Sequence, residues 1–333
     1  MKNLKFLFLF LPILFSSCEK ELIEGPSLND LYGDLSILEP LNIFGDSAEF
    51  ANGENIYFTA SFSKQVDWSI RIVGLTSGSI KIISGKSNFI DQTNSFWEGS
   101  SSLLPFFVSE DCEVELTFEA HVDTLSEILN IQSPKNYNDE STVLITDFEG
   151  GFNPNFTNFF QSGCTKALTI GGSGQGTKYL QQFGTCSWDW LIGYIDYGSS
   201  FWFNQNTLVN DPSQVFFNIM INGDSTISQV AGVPNSLFKL EFYEDENGDG
   251  YYDANSEDRY DYEFDVDWKG WRMVSICYND AEKLVLAGTN GNGVRNPSKI
   301  SNVRTLLLAN PVSGFAKADV DFLIWSIGAP ILN

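Results

Sequence analysis

Apolar and polar residues alternate in short blocks along most of this chain, and the alternation restricts what it can fold into more than any other feature. Ile56, Phe58, Ala60 and Phe62 are interleaved with Tyr57, Thr59 and Ser61, and Trp68, Ile70 and Ile72 with Ser69 and Arg71. Similar blocks occupy residues 79–83, 113–120, 215–221, 237–243 and 319–325. A period of two is that of a strand with one face on a core. Long 3.6-residue periodicity is missing, and aromatic side chains make up 14% of the chain, which suits pleated surfaces. The expectation is an all-β protein.

Turn signals such as Asn52-Gly53 and Ser77-Gly78 separate the early blocks. Their spacing predicts an immunoglobulin-like sandwich over residues 31–136, in which Trp68 and Trp97 serve packing. Residues 131–141 are polar and contain Pro134, so the domain boundary falls there. A new strand opens at Thr142, and the blocks recurring to residue 333 suggest a β-jelly-roll.

The amino terminus is built differently. Residues 1–17 combine Lys2 and Lys5 with an apolar run from Phe6 to Phe15, interrupted only by Pro12, and so read as a secretory leader. The run is too short to span a bilayer as a mature helix. It ends in Ser16-Ser17-Cys18, which resembles the lipobox of bacterial lipoproteins. Cleavage there would leave Cys18 as an acylated first residue holding the chain to a membrane. The alternative is an ordinary cleaved leader in which Cys18 is incidental. Residues 18–30 are polar, with Gly25 and Pro26, and suit a tether.

Composition limits the partners. Against 43 acidic residues stand 19 Lys and Arg, a formal charge of −24. Phosphate binding needs cationic side chains, so nucleic acid and anionic lipid are disfavoured, whereas a neutral ligand or bound cations fit. Besides Cys18 there are Cys112, Cys164, Cys186 and Cys277, which permit three pairings. Cys164 with Cys186 is favoured because both lie in one loop-rich region.

The sharpest local motif runs from Asp245 to Asp253. Asp245, Asn247, Asp249 and Asp253 occupy positions one, three, five and nine, with Gly250 at six and Tyr251 at seven. This is the ligand spacing of an EF-hand-type calcium loop. Ser256 stands at position twelve in place of the usual Glu, and Glu257 and Asp258 follow at once to close the shell. No helix is expected on either side, so the motif reads as a calcium-clasped hairpin. The alternative is a solvated acidic loop.

Four short motifs then fall in a telling order: Asp147-Phe148-Glu149-Gly150, the aromatic block Trp188 to Gly193, Asp267-Trp268-Lys269-Gly270-Trp271-Arg272, and the closing Val320-Asp321-Phe322. Together they resemble carbohydrate-binding modules of the galactose-binding-like jelly roll, especially the family-eleven kind, over residues 143–331. That resemblance implies non-catalytic binding of a polysaccharide, β-glucan first. It also implies a second structural calcium ion between the first and last strands, where Asp147, Glu149 and Asp321 stand; the alternative for Asp321 is a solvated sheet edge shared with Asp319. With Glu19-Lys20-Glu21 after Cys18 resembling surface-export signals, the chain is similar to surface glycan-binding lipoproteins of polysaccharide-utilisation systems. An outer-membrane location facing the exterior and a neighbouring glycan transporter follow as expectations.

Sugar rings pack C–H faces on aromatic side chains and need planar polar partners for their hydroxyls. Residues 187–206 hold that mixture, so Trp188, Trp190, Tyr194, Tyr197 and Trp202 are the candidate ligand contacts, beside Asp196, Asn204 and Asn206. Catalysis finds less support. The single histidine, His121, makes a Ser-His-Asp system or His-ligated zinc improbable. A carboxylate-pair glycosidase or lyase stays open as one alternative, and an adhesin or structural surface protein as another. Residues 171–176 superficially resemble a phosphate loop, but no Lys-Ser or Lys-Thr closes them and no βαβ context surrounds them, so they read as a glycine-rich turn.

Overall fold

The computed structural model describes residues 33–332 except 46, 120, 187–189, 203–207, 227–234, 288–289 and 311–313. The leader, Cys18 and the tether therefore lie outside the described residues. The chain is all-β, as the alternation implies.

The first sheet contains β1 (Ile37–Phe44), β2 (Ser47–Glu49), β3 (Tyr57–Gly74), β4 (Ile80–Ile90), β5 (Glu110–Phe118) and β6 (Thr124–Ser133). Its path runs β1-β3-β5-β6-β2, with β4 also on β3. The two ends of that path are consecutive in the chain, so the sheet must curl until its edges meet. The 18-residue β3 carries the curl: its first part pairs with β1 and its second with β5, while β4 pairs with both. Its side chains alternate without a break, and Phe58, Phe62, Trp68, Ile70 and Ile72 enter one core. Trp68 and Trp97 are both buried there. The Trp97 indole donates to the Ser100 carbonyl at 2.8 Å, which removes the cost of hiding its N–H.

The second domain is a sandwich of two antiparallel sheets of the jelly-roll type. One sheet holds β7 (Thr142–Thr146), β9 (Thr165–Ile170), β10 (Lys178–Thr185), β12 (Val215–Gly223), β15 (Gly270–Cys277), β18 (Phe315–Lys317) and β19 (Asp319–Ile327). The other runs β16-β14-β13-β17-β11-β8, from β8 (Thr157–Phe160), β11 (Leu191–Gly198), β13 (Ser236–Glu244), β14 (Arg259–Asp265), β16 (Val285–Leu286) and β17 (Ile300–Ala309). Aromatic rings join them: Phe217 of β12 lies 5.1 Å from both Phe242 of β13 and Trp325 of β19. Each such ring, fully buried, contributes roughly 1.5–3 kcal/mol.

A smaller cluster couples the domains. Phe106 stacks on Tyr137 at 3.9 Å and meets Phe322 edge-on at 5.9 Å. One sequence expectation changes here: all four described cysteines are thiols. The β9–β10 register pairs Thr165 with Phe183, which sets Cys164 over Gly184. Cys186 is then a diagonal neighbour at about 7–8 Å, beyond the usual reach of a disulfide.

Candidate functional site

Side chains at directly paired positions share a face of a sheet. In the β8-to-β16 sheet, Ile195, Phe238, Leu240, Phe242 and Val303 point into the core, so their neighbours form the outer face. One row crosses four strands in register: Asp196 opposite Arg304, Arg304 opposite Glu241, and Glu241 opposite Asp261. Tyr194, Leu306, Lys239 and Glu263 make the row on one side. Asn302, Tyr243 and Arg259 make the row on the other.

The acids of this face are matched by cations. Arg304 grips Asp196 with two parallel bonds, at 2.7 and 3.0 Å, the planar fork suited to a carboxylate. Asn302 and Thr157 also donate to Asp196, at 2.7 and 3.1 Å. Lys239 reaches Asp261 at 2.7 Å and Glu241 at 3.0 Å, and Arg259 holds Asp261 at 2.8 Å. The Tyr243 hydroxyl donates to Glu241, and burial together with that bond pushes its pKa up. The Arg304 guanidinium lies 4.2 Å from the centre of the Tyr194 ring and 5.4 Å from that of Tyr243. Phe159 stacks beside Tyr194 at 5.8 Å. Tyr243 and Glu241 are themselves buried, with Tyr252 packed on the Tyr243 ring, so the accessible rings are Tyr194 and Phe159. Aromatic faces beside fixed planar donors and acceptors are what a neutral sugar ring needs.

The five candidate aromatics divide. Tyr194 belongs to the outer face, and Trp190, 51% exposed, stands at the entry to β11. Tyr197 is fully buried and packs on Phe156 at 4.9 Å, so it is a core residue and not a ligand platform. The reason is alternation: with Tyr194 and Asp196 outward, Ile195 and Tyr197 must face inward. Trp202 is half-buried 6.3 Å from Trp325 and donates its indole N–H to the Tyr197 carbonyl at 3.0 Å, which ties it to the core edge. Trp188 lies outside the described residues, as do Asn204 and Asn206. Sequence reasoning missed Arg304, Glu241, Lys239, Arg259, Asp261 and Tyr243. The runs Lys239-x-Glu241-x-Tyr243 and Arg259-x-Asp261-x-Glu263 carried the signal, since each puts three polar residues on one strand face.

The acidic motif forms the β13–β14 turn, with strands and no helix on either side. The chain wraps around Asp245, whose carboxylate accepts from the N–H groups of Gly248 at 2.6 Å and Gly250 at 2.7 Å. Asn247 accepts from Asp249 N–H at 2.7 Å, and Asp249 from Tyr251 N–H at 2.9 Å. Glu257, nearly fully buried, closes the far end by accepting from Asn247 N–H at 3.2 Å and Asp253 N–H at 2.7 Å. Asp258 turns elsewhere: one oxygen each from Asp258, Glu244 and Glu246 lie within 4.8 Å of one another.

Asp147, Glu149 and Asp321 surround the glycine-rich turn. Glu149 accepts from the N–H groups of Thr177 at 2.8 Å and Lys178 at 2.6 Å and from the Thr177 hydroxyl at 2.7 Å. Asp321 accepts from Gly174 and Gln175 N–H at 2.9 and 3.1 Å and from the Gln175 amide at 3.2 Å. Asp147 accepts from Glu149 N–H at 3.1 Å. Among the described residues, neither these three carboxylates nor Asp245, Asp249, Asp253 and Glu257 of the acidic motif gather within 4.8 Å, as Glu244, Glu246 and Asp258 do. The geometry is that of an anchor for the turn, in which Gly176 takes the left-handed backbone conformation, φ 57°, that favours glycine. Asp319 and Asp321 are both buried, not on a solvated edge. Burial pushes the Asp321 carboxyl up to about 7.

No protein-family model matches the sequence, and no curated protein does. Among solved structures, it is similar to a family 11 carbohydrate-binding module from Clostridium thermocellum, solved in complex with a β-1,3-1,4-mixed-linked tetrasaccharide. That match has 15% identity and a TM-score of 0.36, covering 56% of this chain and 96% of that one. A CBM22 tandem domain of Paenibacillus barcinonensis Xyn10C matches at 10% identity and TM-score 0.32, over 89% of this chain and 93% of that one. The CBM51-2 and INT domains of Clostridium perfringens ZmpB match at 12% and 0.26, over 77% and 45%. Similarity of this size carries no functional assignment, which the chain's own residues must supply.

Proposed function

We propose that this chain is a lipid-anchored surface protein that binds a neutral polysaccharide without cleaving it and passes it to a neighbouring outer-membrane transporter. The observation that supports this reading best is the outer sheet face, where Tyr194, stacked beside the exposed Phe159, flanks the Arg304–Asp196 pair. Glu241 and Asp261 there are engaged by Lys239 and Arg259, an arrangement suited to holding hydroxyls and not to transferring protons. A formal charge of −24 agrees with a neutral ligand and against nucleic acid. The leader ending at Cys18 supplies the anchor, and calcium in the loop Asp245, Asn247, Asp249, Tyr251, Asp253 and Glu257 rigidifies the domain.

If one ring shields ~60 Å² of sugar surface, it contributes ~1.5 kcal/mol, so Tyr194 and Phe159 with a few hydrogen bonds give micromolar to millimolar binding. Repeated contacts along a polymer strengthen such sites. The test is an affinity gel run against a panel of polysaccharides, β-glucans first, with a reducing-sugar assay alongside. Retardation without release of reducing ends is expected. Released ends would make the chain a hydrolase, and migration unchanged by every polysaccharide would leave an adhesin or structural protein.

A further inference from the structure

We propose that Glu244, Glu246 and Asp258 hold a hard divalent cation, calcium by the chemistry of the ligands, at a position separate from the Asp245–Glu257 loop. Glu244 ends β13 and is fully buried. Its Oε1 accepts from the Tyr278 hydroxyl at 2.8 Å and from Asn296 N–H at 2.7 Å, while its Oε2 is buried with no hydrogen-bond partner. Glu246 Oε1 is likewise buried without a partner. Among the described residues, neither Glu244 nor Glu246 forms an ion pair with Lys or Arg. Asp258 is also fully buried, and its Oδ2 accepts from Gly293 N–H at 2.6 Å.

Glu244 is thus fixed through Oε1 by protein donors, which leaves its buried Oε2, like Glu246 Oε1, without a hydrogen-bond partner beside Asp258. Three oxygens no more than 4.8 Å apart lie within about 2.8 Å of a common centre, so side-chain shifts of a few tenths of an ångström bring all three to the ~2.4 Å calcium–oxygen distance. Three carboxylates and no nitrogen or sulfur ligand select a hard cation. The backbone is shaped around the group: a Cβ on Gly291 would fall 2.1 Å from Asp258 Oδ1, so only glycine lets the 291–296 segment close over it. An orphaned carboxylate oxygen in a buried site is costly, and a cation removes that cost. The ion ties the β13–β14 turn to residues 291–296, whichever ligand the sheet face binds.

The test counts calcium per chain in the mature protein after equilibrium dialysis. Glu246→Gln, isosteric and at a partly exposed position, should lose one equivalent relative to the parent while keeping the parental near-ultraviolet spectrum. Asp249→Asn, in the loop, should lose a different equivalent, so the double variant loses two. Asp258→Asn repeats the measurement from the buried side. Parental calcium content in Glu246→Gln would overturn the proposal and leave the three carboxylates sharing a proton. Parental content in Asp249→Asn alone would instead overturn calcium in the loop, leaving this site standing.

Discussion

The outer sheet face and the β13–β14 turn share two strands and solve the same problem in opposite ways. Both crowd carboxylates together. On the face, Asp196, Glu241 and Asp261 are matched by Arg304, Lys239 and Arg259 within 2.7–3.7 Å. At the turn, Asp245 and Glu257 are satisfied by backbone N–H groups, and Glu244 and Glu246 keep buried oxygens without partners. A carboxylate paired with a cationic side chain asks nothing further of solvent, so its surroundings can be given over to a neutral ligand. One left without a countercharge in a protein interior must take up a proton or a metal ion.

The comparison can be broken at its strongest point by removing the face's central cation. Arg304→Ala leaves Asp196 and Glu241 without that partner, and the expected loss is about 3 kcal/mol of stability, the low end for a broken buried pair. Denaturant melts should show this loss equally with calcium and with chelator. A loss that depends on calcium would mean that the face and the turn are one electrostatic unit.

Chelation is the reciprocal experiment. Calcium near a millimolar against a dissociation constant of about 10 µM adds ~2.7 kcal/mol to folding. Chelator should therefore lower the melting temperature of the parent and leave that of Asp249→Ala less affected. Coincident parental curves would reject a stabilising ion.

Asp321 is the intermediate case, a buried carboxylate supplied with hydrogen-bond donors but no cation. Its pKa is raised to about 7 by burial. Because the folded value stands above the unfolded one, its contribution is fully present below the unfolded pKa, near 4, and is lost as pH rises through about 7. Stability in chelator should fall between pH 5 and 8 by an amount on the order of 2 kcal/mol, and Asp321→Asn should remove part of the fall. A flat profile in the parent would show that the donors from Gly174 and Gln175 outweigh burial.

These features were unequally legible in the sequence. Strict alternation made β3 and its buried Phe58, Phe62 and Trp68 readable, because a period of two is a local property. The acidic turn was equally local, and Glu257 closes it one place beyond the usual position. The face was not local: Asp196 and Arg304 meet only because β11 pairs with β17, more than 100 residues later. No short window contains that register. The aromatic block around Trp190 leads into β11, yet composition could not tell Tyr194 from Tyr197, three positions apart and on opposite faces.

That last pair gives the most direct test of whether the sheet face binds a glycan. Titration calorimetry with a polysaccharide retained on the affinity gel should be run on the parent, Tyr194→Ala and Tyr197→Ala, with melting measured beside it. Tyr194→Ala should fold like the parent and bind roughly tenfold more weakly, the loss of one ~1.5 kcal/mol platform. Tyr197→Ala should instead lose about 3–5 kcal/mol of stability. Parental affinity in a well-folded Tyr194→Ala would contradict the placement of the site on this face.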